Sequence, residues 1–120
     1  MFTFLVLLGI LLVAIVVMLY NKKLYLRFIR GDSMAPTFIA GQPFFVRSKY
    51  KLQEGKVYVF SAPNGETVIK RLHKIAHGTL YFLGDNEEFS YDSRDYGYVS
   101  TKAVIGEAKN IKELFGSWQK

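Results

Sequence analysis

From Met1 to Tyr20 the chain carries no charged side chain, and the run Phe2 to Leu19 consists almost wholly of Leu, Val, Ile, Phe, Ala and Met. A helix rising ~1.5 Å per residue over that run matches the ~30 Å hydrocarbon core of a bilayer. The pattern therefore predicts a transmembrane anchor over residues 1–20. Beyond Tyr20 the helical character stops, and short β-rich runs alternate with Gly, Pro, Asn and Asp. These runs predict strands at Leu24 to Ile29, Pro43 to Arg47, Lys56 to Ala62, Thr67 to Ile75, Thr79 to Leu83 and Tyr98 to Ala108. Such spacing predicts a mostly β fold, a small antiparallel domain over residues 21–120.

Turn chemistry sets the pairing of these runs. Asn-Gly readily takes the positive φ angles of a tight hairpin, so Pro63-Asn64-Gly65-Glu66 should lay Lys56 to Ala62 antiparallel to Thr67 to Ile75. His77-Gly78 reads as the turn before Thr79. The segment Asp85 to Tyr96 is polar and poor in β-branched residues, which predicts an ordered loop. The tail from Ile111 to Lys120 reads as a short helix or a loose end, with Trp118 as a core cap or an interfacial anchor.

A cleavable leader would start with basic residues, have a shorter apolar centre and end on small residues. Here no Lys or Arg precedes the apolar run, and Tyr20, Asn21, Lys22, Lys23 and Leu24 follow it. A retained anchor fits better. A buried helix in a soluble core fits poorly, because so long an uncharged run is hard to cover in a chain of 120 residues.

All sixteen Lys and Arg and all ten Asp and Glu lie after Tyr20, so the net charge of +6 belongs to the extramembrane part. That surplus favours anionic lipid headgroups. The charges are scattered among strands without a reading motif, which argues against nucleic acid as a partner. Lys22, Lys23, Arg27 and Arg30 follow the span and no basic side chain precedes it, so the positive-inside rule taken alone puts the β-domain in the cytoplasm. The absence of cysteine excludes disulfides, thiolate metal sites and a cysteine nucleophile.

A hydroxyl nucleophile needs exposure, a nearby base and donors for the developing oxyanion. Gly31-Asp32-Ser33-Met34-Ala35-Pro36-Thr37 predicts a tight turn that presents Ser33 at the end of the first strand, with backbone N–H groups able to converge on an oxygen. Ser beside Gly and Asp is more commonly a plain turn residue. Strand parity supplies the candidate base, since Val68, Lys70 and Leu72 share one face and Ile69, Arg71 and His73 the other. If the face of Lys70 is buried, desolvation lowers its pKa from ~10.4, and a neutral amine can take the Ser33 proton. On pattern alone a snorkelling surface lysine is the competing reading. His73 and His77 fall on one face, yet no third ligand stands at a metal-binding spacing.

Three blocks occur in order behind the span: Gly31 to Thr37, then Val68-Ile69-Lys70-Arg71, then Gly84-Asp85-Asn86 with Ser90-Tyr91-Asp92-Ser93-Arg94 and Gly97. Together they resemble the type I signal peptidases over nearly the whole chain, with shorter intervening segments. The resemblance implies a membrane serine endopeptidase with a Ser–Lys dyad. Ser33 would be the acylated nucleophile and Lys70 the general base and then acid. Ser90 would hydrogen-bond and orient Lys70. Asp92 would pair with Arg94 and Arg71 with Asp85 as structural braces, while Met34 and Pro36 shape the nucleophile turn. Many family members carry a hydroxyl residue two places before the nucleophile. Gly31 stands there, so the oxyanion hole is expected from backbone N–H groups at Gly31 and Ser33.

The same resemblance implies no metal or cofactor, and preprotein signal peptides with small residues one and three places before the cut as substrates. It also implies a catalytic domain on the extracytoplasmic face of the cell membrane, against the charge bias. Leu24, Phe28, Phe44 and Phe45 would offer an apolar surface to the bilayer or serve as core. A dedicated maturation peptidase for one client, such as a nickel superoxide dismutase precursor, would share the chemistry. Self-cleaving repressors of the SOS-response type have a similar Gly-Asp-Ser-Met turn but begin with a DNA-binding domain. A catalytically silent assembly factor would have lost Ser33 or Lys70, and both are present.

Overall fold

The protein is described here by a computed structural model over residues 1–115. The apolar run forms helix α1, Phe2–Lys22, slightly longer than the predicted span. Its Phe2–Asn21 stretch is long and apolar enough to cross a membrane, and none of it is buried against the rest of the protein. The helix stops at Lys23, which takes the left-handed conformation (φ 52°, ψ 47°) and turns its N–H back to the carbonyls of Leu19 and Tyr20. Strand β1, Leu24–Phe28, starts at the very next residue.

Six further strands follow: β2 (Pro43–Arg47), β3 (Val57–Ser61), β4 (Thr67–Ala76), β5 (Thr79–Leu83), β6 (Val99–Ser100) and β7 (Val104–Lys109). They form one antiparallel sheet in the order β1-β2-β7-β3-β4-β5-β6. The predicted hairpins close as their turn residues require. Gly65 takes φ 88°, and His77 and Gly78 take φ 53° and 74°, the paired positive values of a two-residue hairpin turn.

Strand β3 shows how the core is arranged. Its sequence VYVFS lacks polar alternation because both of its faces are covered. Val57 and Val59 pack with Ile29, Met34, Phe38, Phe44, Val46 and Ile69. Tyr58 and Phe60 point the other way, into a cluster with Leu72, Leu80, Phe82 and Val99, where the Phe60 and Phe82 rings stack at 4.0 Å. The sheet thus separates two apolar clusters, one under the turn that carries Ser33 and one under β5.

Two sequence expectations are corrected. Tyr98 to Ala108 is not one strand: β6 pairs with β5, the chain turns through a single 3-10 turn at Thr101–Ala103, and β7 then enters between β2 and β3. The Ser100 hydroxyl makes the break by accepting from the Lys102 N–H. Asp85 to Tyr96 is not plain loop either. It holds a 3-10 turn at Glu87–Phe89 and a short helix α2, Ser93–Tyr96, closed by reciprocal Asp92 and Asp95 caps. Of the tail, Ile111–Phe115 forms helix α3, and Trp118 lies outside the described residues.

Candidate active site

Ser33 sits in the segment between β1 and β2, whose two ends are tied together. The Ile29 N–H donates to the Gln42 carbonyl and the Gly41 N–H donates to the Ile29 carbonyl. Met34 and Phe38 bury their side chains beneath the segment, which fixes the turn from below. From the side, the Asn86 N–H donates to the Ser33 carbonyl at 2.9 Å and the Asn86 amide donates to the Asp32 carbonyl at 3.0 Å. A side chain standing on so constrained a backbone has little freedom to move from its partner.

That partner is Lys70. It lies on β4 opposite Tyr58, and although charged side chains are rarely buried it is only 5% exposed. Its Nζ is 2.6 Å from Ser33 Oγ. An ammonium donates across this contact, whereas a neutral amine accepts the hydroxyl proton along the same line. Burial lowers the Lys70 pKa from the ordinary lysine value, and the negative charge of Asp92 opposes that shift. Strand parity thus put Lys70 on a covered face, and burial there makes it a desolvated lysine rather than a snorkelling one.

The resemblance implied a hydrogen bond between Ser90 and Lys70, but Lys70 Nζ meets Ser33 and the Ser90 hydroxyl turns elsewhere. It donates to Asp92 Oδ2 at 2.7 Å, because the Asp92 carboxylate is fully buried and draws in every donor within reach. The others are the Gly84 N–H, the Arg94 N–H, and Arg94 Nε and Nη2. Burial alone would raise the Asp92 pKa, but the donors from Arg94, Gly84 and Ser90 outweigh it and hold the group well below the usual carboxylate range. Ser90 still stands against the nucleophile turn. A Cβ placed on Gly84 would collide with Ser90 Oγ and lie 2.7 Å from the Ser33 carbonyl oxygen, so only glycine lets these segments meet.

Arg71 and Asp85 form the second brace. Arg71 Nε and Nη2 each donate to Asp85 at 2.8 Å, and Nη1 reaches the Gly55 carbonyl at 2.6 Å. The Thr37 hydroxyl donates to Asp85 as well, linking the brace to the nucleophile segment. Sequence reading gave no task to Thr37, Gly84 or Asn86. The motif Gly84-Asp85-Asn86 was the available signal, but the contacts join segments dozens of residues apart and strand parity does not reach across them.

Gly31 has φ 73°, a left-handed turn that L side chains rarely adopt, and the Ser33 N–H donates to no other group among the described residues. A free N–H beside the nucleophile is the donor an oxyanion would need. No group of three potential metal-ligating side chains occurs among the described residues. His77 belongs to the turn after β4, and the His73 ring meets the edge of Tyr81.

Ser33 and Lys70 open into a groove of about 840 Å³ lined by Tyr25 to Arg30 on one side and Glu66 to Ile69 on the other. Successive strand residues point to opposite faces, so a groove that touches all of them runs along strand edges. Both edges are unpaired. β1 is terminal in the sheet, and β4 pairs with β5 only from Arg71 onward. An extended peptide laid between them would find backbone donors and acceptors on both flanks.

Comparison with protein families matches residues 12–108 to the family described as Peptidase S24-like. No curated protein matches the chain.

Proposed function

The chain belongs to the Peptidase S24-like family, and we propose that it is a membrane-bound serine endopeptidase that removes N-terminal signal peptides from exported preproteins. The observation that carries the reading is the 2.6 Å contact between a buried lysine amine and a serine hydroxyl at the end of a groove built for an extended chain. The apolar helix α1 favours a membrane substrate over the soluble self-cleaving repressors that use similar chemistry.

In this mechanism the substrate adds a strand between β1 and β4, which brings its scissile carbonyl to Ser33. Neutral Lys70 takes the hydroxyl proton as Oγ attacks the carbonyl carbon. The Ser33 N–H stabilises the oxyanion. Protonated Lys70 then gives its proton to the departing amine, and an acyl-enzyme remains on Ser33. Water enters, Lys70 removes its proton, and the ester is hydrolysed to release the carboxylate product. Asp92, Arg94, Arg71 and Asp85 take no proton in this sequence; they hold the segments that carry Ser33 and Ser90. No cofactor or metal is called for. The Lys70 charge state sets the rate, and β1 and β4 set the substrate's conformation. The catalytic domain faces the extracytoplasmic side, where exported preproteins present their cleavage sites.

Cleavage of a preprotein with an Ala-x-Ala site, in lipid or detergent, tests the reading. Wild type should cut after the second Ala. Ser33→Ala and Lys70→Ala should lose at least ~10³-fold in kcat while remaining folded by circular dichroism. Folded wild type that cuts no general preprotein sinks the general enzyme, and a single-client maturation peptidase or a silent assembly factor takes its place.

A further inference from the structure

Three charged side chains besides Lys70 line the groove: Arg27 and Arg30 on one wall and Glu66 on the other. No ion pair engages any of them among the described residues. The arginines of the two braces differ in this, since Arg71 and Arg94 each hold a carboxylate at 2.8 Å. Arg30 lies beyond the end of β1 and Glu66 in the turn before β4, where its N–H donates to the Asn64 side chain.

Arg27 alone of the three is aimed over the groove floor. Residues opposite each other in an antiparallel pair project to the same side, and Arg27 stands opposite Phe44, which is buried in the apolar cluster beneath the groove. Tyr25 and Ile29, two places to either side of Arg27, pack against that same cluster. The Arg27 guanidinium lies 5.2 Å from the centre of the Tyr25 ring, a cation–π contact that holds it in place. A ring face attracts the charge but does not satisfy the guanidinium N–H donors as a carboxylate would. Arg27 is exposed and so open to a bound chain. With Lys70 neutral, as its role as base requires, the lining carries two cations against one anion. An acidic side chain beside β1 therefore meets net attraction.

A substrate strand laid along β1 sends alternate side chains towards the floor. In the proposed function the small residues one and three places before the cut point that way, and the next side chain to do so stands at the fifth place. Away from Ser33, the floor-facing residues of this wall are Ile29 and then Arg27. Opposite charges side by side on one face of a strand pair attract, and like charges repel. Resting on the peptidase reading above, we propose that Arg27 is a specificity-determining residue that selects preproteins with an aspartate or glutamate at the fifth place before the scissile bond. That carboxylate accepts from the Arg27 guanidinium, and a lysine at the same place is turned away.

The test uses the full chain in an uncharged detergent. Model preproteins carry an Ala-x-Ala site and Asp, Ala or Lys at the fourth, fifth or sixth place before the cut. Substrates that differ only in where the charge sits have the same net charge, so attraction to the basic domain as a whole cancels. Wild type should prefer Asp to Lys at the fifth place by at least about fivefold in kcat/KM, mostly through KM, and by less than about twofold at the fourth and sixth. Arg27→Glu should reverse the preference at the fifth place, Arg27→Lys should keep its direction and Arg27→Met should flatten it. Each preference is a ratio taken on one enzyme, so a change in overall activity does not mimic it. Wild type with no Asp preference at the fifth place, wild type with an equal preference at all three places, or an Asp preference that survives Arg27→Glu overturns the role of Arg27 and leaves the peptidase reading standing. Wild type that cuts none of the substrates overturns both.

Discussion

At the residue scale the decisive quantity is the proton on Lys70. Only the neutral amine can accept from Ser33, so kcat/KM should fall about tenfold per pH unit below the Lys70 pKa, with a midpoint under the ordinary lysine value because burial lowers it. The sign for stability follows from the same shift. Between the lowered folded pKa and the ordinary unfolded one, the unfolded chain binds the extra proton, so stability rises with pH across that window. The penalty for burying the ammonium is greatest below the folded pKa and vanishes above the ordinary lysine range. Lys70→Met removes the titrating group, so its denaturation midpoints should lack this rise while its activity is lost; a midpoint series against pH checks the slope. The turn that carries Ser33 and the strand face that carries Lys70 were legible in the sequence, but only the resemblance of the three blocks joined the two residues. Their 2.6 Å approach was not legible, because it depends on Asn86, Met34 and Phe38 holding the turn from other parts of the chain.

At the element scale, the segment after β5 carries the active site's support. Gly84 ends that strand and passes so close to Ser90 and the Ser33 carbonyl that any Cβ must displace one of them. Gly84→Ala should lower stability by ~1–3 kcal/mol through overpacking and reduce kcat more than it raises KM, since the displaced group is the nucleophile turn rather than the groove wall. Thermal unfolding and steady-state kinetics on one preparation separate the two effects. Sequence patterning placed β2 and β5 at their observed bounds and β1, β3 and β4 within a residue at each end. It failed where a strand changes partners. Nothing in the alternation of Tyr98 to Ala108 records that β6 serves β5 while β7 serves β2 and β3, and a single hydroxyl, that of Ser100, makes the break.

At the scale of the whole molecule, a helix uncharged up to its last residue and a basic β-domain are joined through a single residue. Removing residues 1–22 should move the protein from the membrane pellet to the supernatant under alkaline carbonate, while the intact chain stays with the bilayer; a full-length chain released by carbonate would show that α1 does not span. The division into helix and β-domain was legible from charge and hydropathy alone, whereas the left-handed turn at Lys23 that ends α1 was not, since such geometry at a lysine has no sequence mark. The two unpaired strand edges that flank the groove have a pharmacological consequence. A groove flanked by the free edges of β1 and β4 would suit any backbone already held straight, whether or not it contains a bond to cut. A macrocycle locked in the extended form, without an electrophile, would occupy that groove through main-chain hydrogen bonds alone. Resistance to such a compound could not arise by exchanging side chains that it does not touch.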